Sequence, residues 1–404
     1  MPSTIAVVLV LLMPTFVLAD EMPPDTPPAP QPEEAQTPLA PPQPQPEASR
    51  SPTLAPEPTP EPAAAAAAAW YDQVTLGGLV DVFFSLPVRS DDTGLRDPSF
   101  MRAFDASNGT FQLAYAELNL AMAAKPVGFR IDLGFGQVAD LTNLQTVDLG
   151  MGMTINVPNE TYKHIQQAYV SFQVPGVDAL VVDVGRFVTT AGAEVIEAKD
   201  NWMYSRSILF GFAIPYSHTG VRASFAVSSE LTLQASLVNG WDVVEDNNVD
   251  KTVGLSVTWA HADTAAILTY YGGTEATDFR NLVDLAVTQK VDERLTLNLN
   301  ADYGKEGNAS WYGVAAMGRY QVSRQLRLAL RAEYFGDPDG TRTSRMPPDA
   351  DLSVTEITAN FGLPLGDHVE LKLEGRVDIA SKDVFGTPAD KTQPTVQFAA
   401  LAWF

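Results

Sequence analysis

Near its end the chain alternates strictly between two kinds of side chain. From Val369 to Ala380 it reads V-E-L-K-L-E-G-R-V-D-I-A, with aliphatic residues or glycine at odd positions and charged residues at the even positions up to Asp378. Successive side chains of a β-strand point to opposite faces, so a strand with this sequence has one apolar and one charged face. Such a strand is suited to a wall that separates lipid from water.

The same alternation recurs along most of the chain after Trp70. It predicts 16 strands, an even number, although 14 or 18 would also fit the pattern. The predicted strands cover 73–86, 111–124, 128–139, 164–175, 180–188, 217–228, 231–241, 251–260, 265–273, 281–290, 294–304, 311–322, 326–336, 352–363, 369–380 and 393–404.

The connections between these segments alternate between short and long. Turns such as Lys125–Val127 and Ser323–Gln325 are tight, whereas Pro87–Thr110, Asp140–Lys163, Thr189–Tyr216 and Gly336–Asp351 are long. Short periplasmic turns and long extracellular loops are typical of bacterial outer-membrane barrels. The pattern therefore predicts an all-β fold, a closed antiparallel transmembrane β-barrel, and a barrel of about 16 strands is wide enough for an aqueous channel.

A soluble β-sandwich also alternates and is the competing fold. Segments of about ten residues match a tilted bilayer crossing better than sandwich strands, which are typically shorter. Aromatic residues such as Trp241, Trp259, Trp311 and Tyr334 lie near segment ends, as in an interfacial girdle. The last strand ends on Phe404, a terminal aromatic that resembles the signal recognised by the barrel insertion machinery. These features favour the barrel.

The beginning of the chain has a different composition. The apolar run Ile5–Ala19 predicts a signal peptide over residues 1–19, cleaved near Ala19, and hence export. Residues 20–69 are rich in Pro, Glu and Ala and predict a disordered periplasmic tether, either an inert spacer or a contact to the cell wall. The barrel is then expected over residues 70–404.

Overall composition excludes several classes of function. The chain has no cysteine and a net charge of −23, which argues against thiolate metal sites and against nucleic acid as a partner. Its four histidines are scattered, without metal-ligand spacing, and no G-x-S-x-G nucleophile motif occurs. We therefore expect no catalytic residues, no metal, no cofactor and no enzyme activity.

Charged residues on the inward face of the predicted strands are the candidate site. They can line a lumen and orient polar solutes, or brace the wall through ion pairs, and we expect both. The candidates that alternation places on the inward face are Arg130, Asp132, Asp183, Arg222, Arg319, Arg327, Arg331, Glu333, Glu370, Lys372, Glu374, Arg376 and Asp378. The acidic balance of the chain favours a weak preference for cations.

The segment Thr189–His218 is too apolar for a solvated loop, with Trp202, Tyr204 and Phe210 among its residues. We expect it to fold into the lumen, where Glu194, Glu197 and Asp200 would face Arg186 and Arg222 across a constriction. An extracellular lid or a contact between subunits is the alternative interpretation.

Several motifs carry a resemblance to a known family. A-Y-A-E-L-N-L-A-M, G-F-R-I-D-L-G-F-G, I-Q-Q-A-Y-V-S-F and D-V-G-R-F-V-T-T-A-G-A-E-V-I-E-A-K-D-N-W-M-Y-S-R-S-I-L-F resemble the β-barrel porins of the OmpL-like type, over roughly residues 77–404. The resemblance implies an outer-membrane diffusion channel in a Gram-negative-type bacterium. It implies no defined binding residues.

The function expected from these features is a porin that passes small hydrophilic solutes and ions. A non-conducting scaffold or adhesin, which uses its loops and tether, is the alternative, and an outer-membrane enzyme is a more distant one. Expected partners are outer-membrane lipid and the insertion machinery, with a homotrimer expected by analogy with barrels of this size.

Overall fold

A computed structural model describes residues 70–88, 101–150, 153–246, 248–275, 278–343, 351–386 and 389–404. The expected signal peptide and tether lie outside the described residues. A short 3₁₀ helix, Trp70–Gln73, precedes the first strand. No helix among the described residues is long and apolar enough to cross a bilayer.

Sixteen antiparallel strands form a closed barrel, as the alternation predicts. Its strands are β1 (Thr75–Pro87), β2 (Phe111–Met122), β3 (Val127–Phe135), β6 (Ile165–Gln173), β7 (Leu180–Val188), β8 (Ser217–Ala226), β9 (Leu231–Val238), β10 (Thr252–His261), β11 (Thr264–Glu275), β12 (Asp278–Lys290), β13 (Leu295–Glu306), β14 (Ala309–Ser323), β15 (Leu326–Asp337), β16 (Leu352–Pro364), β17 (Val369–Ala380) and β18 (Thr392–Trp403). β18 pairs with β1 and closes the ring. Closure leaves no unpaired strand edge, which would be costly in hydrocarbon.

Two further strands were not predicted. β4 (Leu144–Gly150) and β5 (Met153–Pro158) form a hairpin, and the short helix α1 (Gln137–Leu141) precedes it. The hairpin lies within the long connection Asp140–Lys163, whereas α1 takes the place of the end of the predicted strand 128–139, because β3 ends at Phe135. The sequence signal was a pair of short runs, L-Q-T-V-D-L-G and M-T-I-N-V-P, around Gly150 and Gly152, which is a hairpin pattern.

The barrel is polar inside and apolar outside. On β17, Glu374 is 1% exposed and Asp378 is fully buried, whereas Leu371 and Leu373 are each 38% exposed. This is the reverse of a soluble protein, and it follows from the alternation because the exposed face of each strand is the one that meets lipid.

A buried apolar cluster contains side chains from the loops as well as from the wall. Phe104 packs against Phe210 and Tyr216, and Trp241 packs edge-on against Trp311. All five residues are at most 9% exposed. The core therefore lies where loops meet the inner wall.

Candidate functional site in the barrel lumen

The segment between β7 and β8, residues 189–216, lies inside the barrel; we call it the lumenal loop. Inward-facing side chains of several strands contact its backbone over most of its length. On β14, for example, the indole Nε1 of Trp311 donates to the Ala213 carbonyl at 3.0 Å. Ile208 and Leu209 of the loop are fully buried. The apolar composition of the segment thus reflects packing within the lumen.

Wall carboxylates accept hydrogen bonds from the backbone N–H groups of the lumenal loop. The acceptors are Asp284 on β12, Glu333 on β15 and Glu374 on β17. Gly192 N donates to Asp284 at 2.9 Å. Ile208 N and Leu209 N donate to Glu333, at 2.5 and 3.3 Å respectively. Tyr204 N and Ser205 N donate to Glu374, at 2.6 and 3.2 Å respectively. These acids hold the loop by its amide groups.

Wall cations bind the loop's carbonyl groups in the same way. Lys372 Nζ donates to the carbonyls of Ala198 at 2.8 Å and Asn201 at 2.6 Å. Arg331 donates to the carbonyl of Ser205 at 2.9 Å, and Arg376 donates to that of Arg206 at 2.8 Å. Irregular backbone in a buried place must find such partners, because unpaired amide groups cost free energy there. The acidic and basic side chains of the wall together supply the hydrogen-bond partners of the loop backbone.

An ion-pair network joins the same wall residues to one another. Arg331 lies 2.8 Å from Glu194 of the loop and 2.9 Å from Glu356 on β16. Arg376 lies 2.7 Å from Asp378 and 3.7 Å from Glu356. Every side chain in this network is 4% exposed or less, so the pairs are shielded from water and depend on one another.

A second loop segment, after β1, packs into the lumen beside the first. Arg102 donates to Thr395 Oγ1 and to Gln397 Oε1 on β18, both at 2.9 Å, and it is ion-paired with Asp105. Burial alone would raise the pKa of the Asp105 carboxyl, but the Arg102 guanidinium holds that pKa below its ordinary value. The ring of Phe104 lies under the Arg206 guanidinium, at 4.9 Å, and joins the two loops.

Several predicted lining residues form ion pairs along the wall. Arg130 lies 2.7 Å from Asp132, and Arg222 lies 2.8 Å from Asp183 on the neighbouring strand. Arg327 lies 3.5 Å from Glu370. Arg319 instead places its guanidinium 5.1 Å above the ring of Trp202 in the lumenal loop. The wall arginines are thus both braces and lumen-facing groups.

The expected partners of Glu194 were wrong. Its carboxylate contacts Arg331, not Arg186 or Arg222. Arg186 lies three residues from Asp183 and so belongs to the opposite face of β7, that of the exposed Val184. It is 4% exposed and donates to the Thr142 carbonyl at 3.3 Å and to Ser217 Oγ at 2.9 Å. Alternation itself excluded Arg186 from the inward series.

Glu197 and Asp200 are also placed differently from the expectation. Among the described residues neither is ion-paired with Arg186 or Arg222; Asp200 contacts Lys199 at 2.7 Å. Burial raises the pKa of Glu197, and the nearby carboxylates of Asp200 and Asp132 raise it further. The loop therefore carries an acid that holds its proton more tightly than a free glutamate.

Sequence reasoning missed other members of the site. Glu356 was detectable, because it shares its face of β16 with Thr358 and Asn360, while Ile357 and Ala359 take the other face. Asp284 was detectable in the same way on β12. The position of Arg102 in the lumen could not be predicted from the sequence, because it depends on how a loop folds. Within the described part of the chain, no three His, Asp or Glu side chains are grouped as metal ligands.

Comparisons with solved structures place this fold among outer-membrane proteins. The chain is similar to the outer membrane channel DcaP of Acinetobacter baumannii, with a TM-score of 0.53, 16% identity, and 82% of this chain and 97% of that chain covered. It is also similar to Salmonella typhi OmpF, in a complex with daunomycin (TM-score 0.54, 11% identity, 83% and 99% covered). The trimer form of Vibrio cholerae OmpT gives a TM-score of 0.51 at 11% identity, with 82% and 99% covered.

A search of curated proteins gave no match. A family model, described as "Putative beta-barrel porin-2, OmpL-like", matches residues 73–404, which includes every barrel strand. The chain therefore belongs to this family of OmpL-like β-barrel porins.

Proposed function

We propose that the protein is an outer-membrane porin whose lumen holds water and passes small hydrophilic solutes and ions by passive diffusion. One observation carries the proposal. The side chains of Arg130 and Arg327 face inward from a closed barrel, yet each is 40% exposed. An inward side chain of a closed barrel is exposed to water in the lumen or at its mouth, so water reaches the inner wall around these residues.

The lumenal loop supports a size limit on the solutes. It fills part of the interior with buried apolar residues such as Ile208 and Phe210 and is fixed to four or more wall strands by hydrogen bonds. A fixed segment across a channel narrows it and leaves charged side chains at the narrow point. The channel proposed here is accordingly one for small polar solutes, not for large or apolar ones.

The membrane and the assembly are part of the proposal. The family and the barrel support a location in the outer membrane of a Gram-negative-type bacterium. Vibrio cholerae OmpT, which shares the fold, occurs in a trimer form. We propose a homotrimer for this chain as well, and chemical cross-linking in native membranes tests it: bands no larger than the monomer would contradict the trimer.

Recording of single channels in a planar bilayer tests the diffusion function. The chain has no cysteine, so single cysteines can be placed at will. Thr258 and Val257 are neighbours on opposite faces of β10. The side chain of Thr258 faces inward and is half-buried, whereas that of Val257 faces outward and is 41% exposed. A membrane-impermeant methanethiosulfonate reagent should react with Thr258→Cys and reduce the current, and should leave the Val257→Cys channel unchanged.

The alternative is a non-conducting scaffold. The apolar cluster around Phe210, Trp311 and Phe335, all at most 3% exposed, favours it, because it occupies interior space. The two functions give opposite results in the same experiment. Unitary current steps together with labelling of Thr258→Cys would support the channel function. A folded barrel that gives no current steps would support the scaffold function instead.

A further inference from the structure

Buried charges of both signs line the inner wall, and the buried cations include Arg331, Lys372 and Arg376. Most inward-facing carboxylates are buried: Asp132, Asp183, Glu356, Glu370, Glu374 and Asp378 are between 0% and 8% exposed. The side chains of Arg130 and Arg327 are accessible, each 40% exposed, and Arg319 is half-buried. The wall thus presents positive charge to the water in the lumen although the chain is acidic overall.

The reason is that the acids already have partners. Glu333 and Glu374 accept hydrogen bonds from loop amide groups, and Glu356 is enclosed between Arg331 and Arg376. The charge of these carboxylates is compensated inside the wall. A solute in the lumen therefore meets their field only weakly.

The accessible arginines lie beyond the reach of these contacts. Arg327 comes two residues after the short turn Ser323–Gln325, and Arg319 comes four residues before it, so both lie at the end of the barrel that carries the short turns. In the register of β14 and β15, Arg319 faces Ala329 and Gln321 faces Arg327. The two arginines are diagonal neighbours on one face, at a separation of roughly 7–8 Å between their backbones.

Arg319 is the least neutralised of the three. Among the described residues it is ion-paired with no carboxylate, and it lies 5.1 Å above the ring of Trp202. Trp202 is fixed in turn, because Asn360 Nδ2 donates to its carbonyl at 3.2 Å. A guanidinium held over the face of an indole by cation–π attraction can still donate N–H groups to the two oxygens of a carboxylate. Arg327 contributes a second guanidinium, whose contact to Glu370 is long, at 3.5 Å.

We propose that Arg319 and Arg327, with Trp202 as a stacking surface, form a binding station for small organic carboxylates, and that the exposed arginines make the channel anion-selective. This rests on the proposed diffusion function and replaces the cation preference expected from net charge. The acidic residues of the lumenal loop weaken this anion preference only in part, because Asp200 is ion-paired with Lys199 and Glu197 is half-buried.

Two measurements on reconstituted full-length protein test the proposal. The first is the reversal potential across a KCl gradient, which should have the sign of chloride preference and should move toward cation preference in Arg319→Gln/Arg327→Gln. The second is the reduction of KCl current by benzoate, with benzyl alcohol as the uncharged probe. Benzoate should reduce the current, and about tenfold more should be needed in the double variant, because the variant lacks the charged hydrogen-bond donors for the carboxylate.

The controls separate charge from geometry. Arg319→Lys/Arg327→Lys keeps the positive charge but lacks the planar guanidinium groups that can bind both oxygens of a carboxylate. The channel of this variant should therefore retain its chloride preference and lose most of the current reduction by benzoate. Arg324→Gln, in the exposed turn, should behave like the unmodified protein. A conducting channel with cation preference would overturn the anion inference and leave the diffusion function standing. Absence of any current in the unmodified protein would instead overturn the diffusion function.

Discussion

The guanidinium of Arg331 lies 2.8 Å from the carboxylate of Glu194, and this contact ties the barrel wall to the lumenal loop. The same guanidinium lies 2.9 Å from Glu356 and donates to the Ser205 carbonyl at 2.9 Å. Its side chain is fully buried. One cation therefore compensates an acid of the loop and an acid of the wall at once, so the position of the loop depends on it.

Replacement of Arg331 by Met should destabilise the barrel and release the loop. Two buried carboxylates would lose their main counterion, and loss of one partner of a buried ion pair costs about 3–5 kcal/mol. Denaturant unfolding in detergent or lipid measures the stability, and bilayer recording should show a larger or more fluctuating current. Arg324→Met in an exposed turn is the control. An unchanged current in a destabilised Arg331→Met barrel would show that the loop does not narrow the path.

Lys372 gives an independent test of how the loop is held. Its ammonium group donates to the carbonyls of Ala198 and Asn201, so Lys372→Met should leave both without a donor in a buried place. We expect faster amide hydrogen exchange in the loop around these residues and a stability loss of about 1–3 kcal/mol. Lys290→Met, at an exposed position, is the matched control. Equal exchange rates in both variants would contradict a holding role for Lys372.

The barrel could be predicted from the sequence because alternation is a local property: most of the sixteen strands show it in about ten consecutive residues. The apolar loop was predictable for the same reason, since Ile208, Leu209 and Phe210 are adjacent in sequence. The partner of Glu194 was not predictable, because Arg331 is 137 positions away and their meeting depends on how far the loop reaches across the lumen. Which charges remain accessible depends likewise on contacts that form only after the loop has folded.

Gly304 on β13 makes room for a buried indole. A Cβ atom at this position would lie 1.9 Å from the Trp311 ring on the adjacent strand, whereas a Cβ at Gly375 on β17 would meet nothing within 4 Å. Gly304→Ala should therefore displace Trp311, break its hydrogen bond to the Ala213 carbonyl and cost about 1–3 kcal/mol or more. Gly375→Ala should be neutral. Tryptophan fluorescence and denaturant unfolding check both, and equal stability of the two variants would contradict the packing described here.

Glu197 should make the selectivity of the channel depend on pH. Its pKa is raised by burial and by Asp200 and Asp132, so it gains a proton at a higher pH than an ordinary glutamate, while the nearby Arg206 acts in the opposite direction. As the pH falls through this raised pKa, the loop loses a negative charge and the permeability ratio of chloride to potassium should rise. The folded state binds this proton more tightly than the unfolded state, so the associated stability is present at low pH and is lost as the pH rises through the folded-state pKa.

Reversal potentials measured from acidic to neutral pH check this expectation. Glu197→Gln should hold the high chloride preference at neutral pH and reduce the pH response. Asp292→Asn is the control: hydrogen bonds from the amides of Arg294 and Leu295 lower the pKa of Asp292, which lies in an exposed turn outside the lumen. If Glu197→Gln shows the same pH response as the unmodified channel, the titrating group lies elsewhere on the wall, and Glu197 does not face the path of the ions.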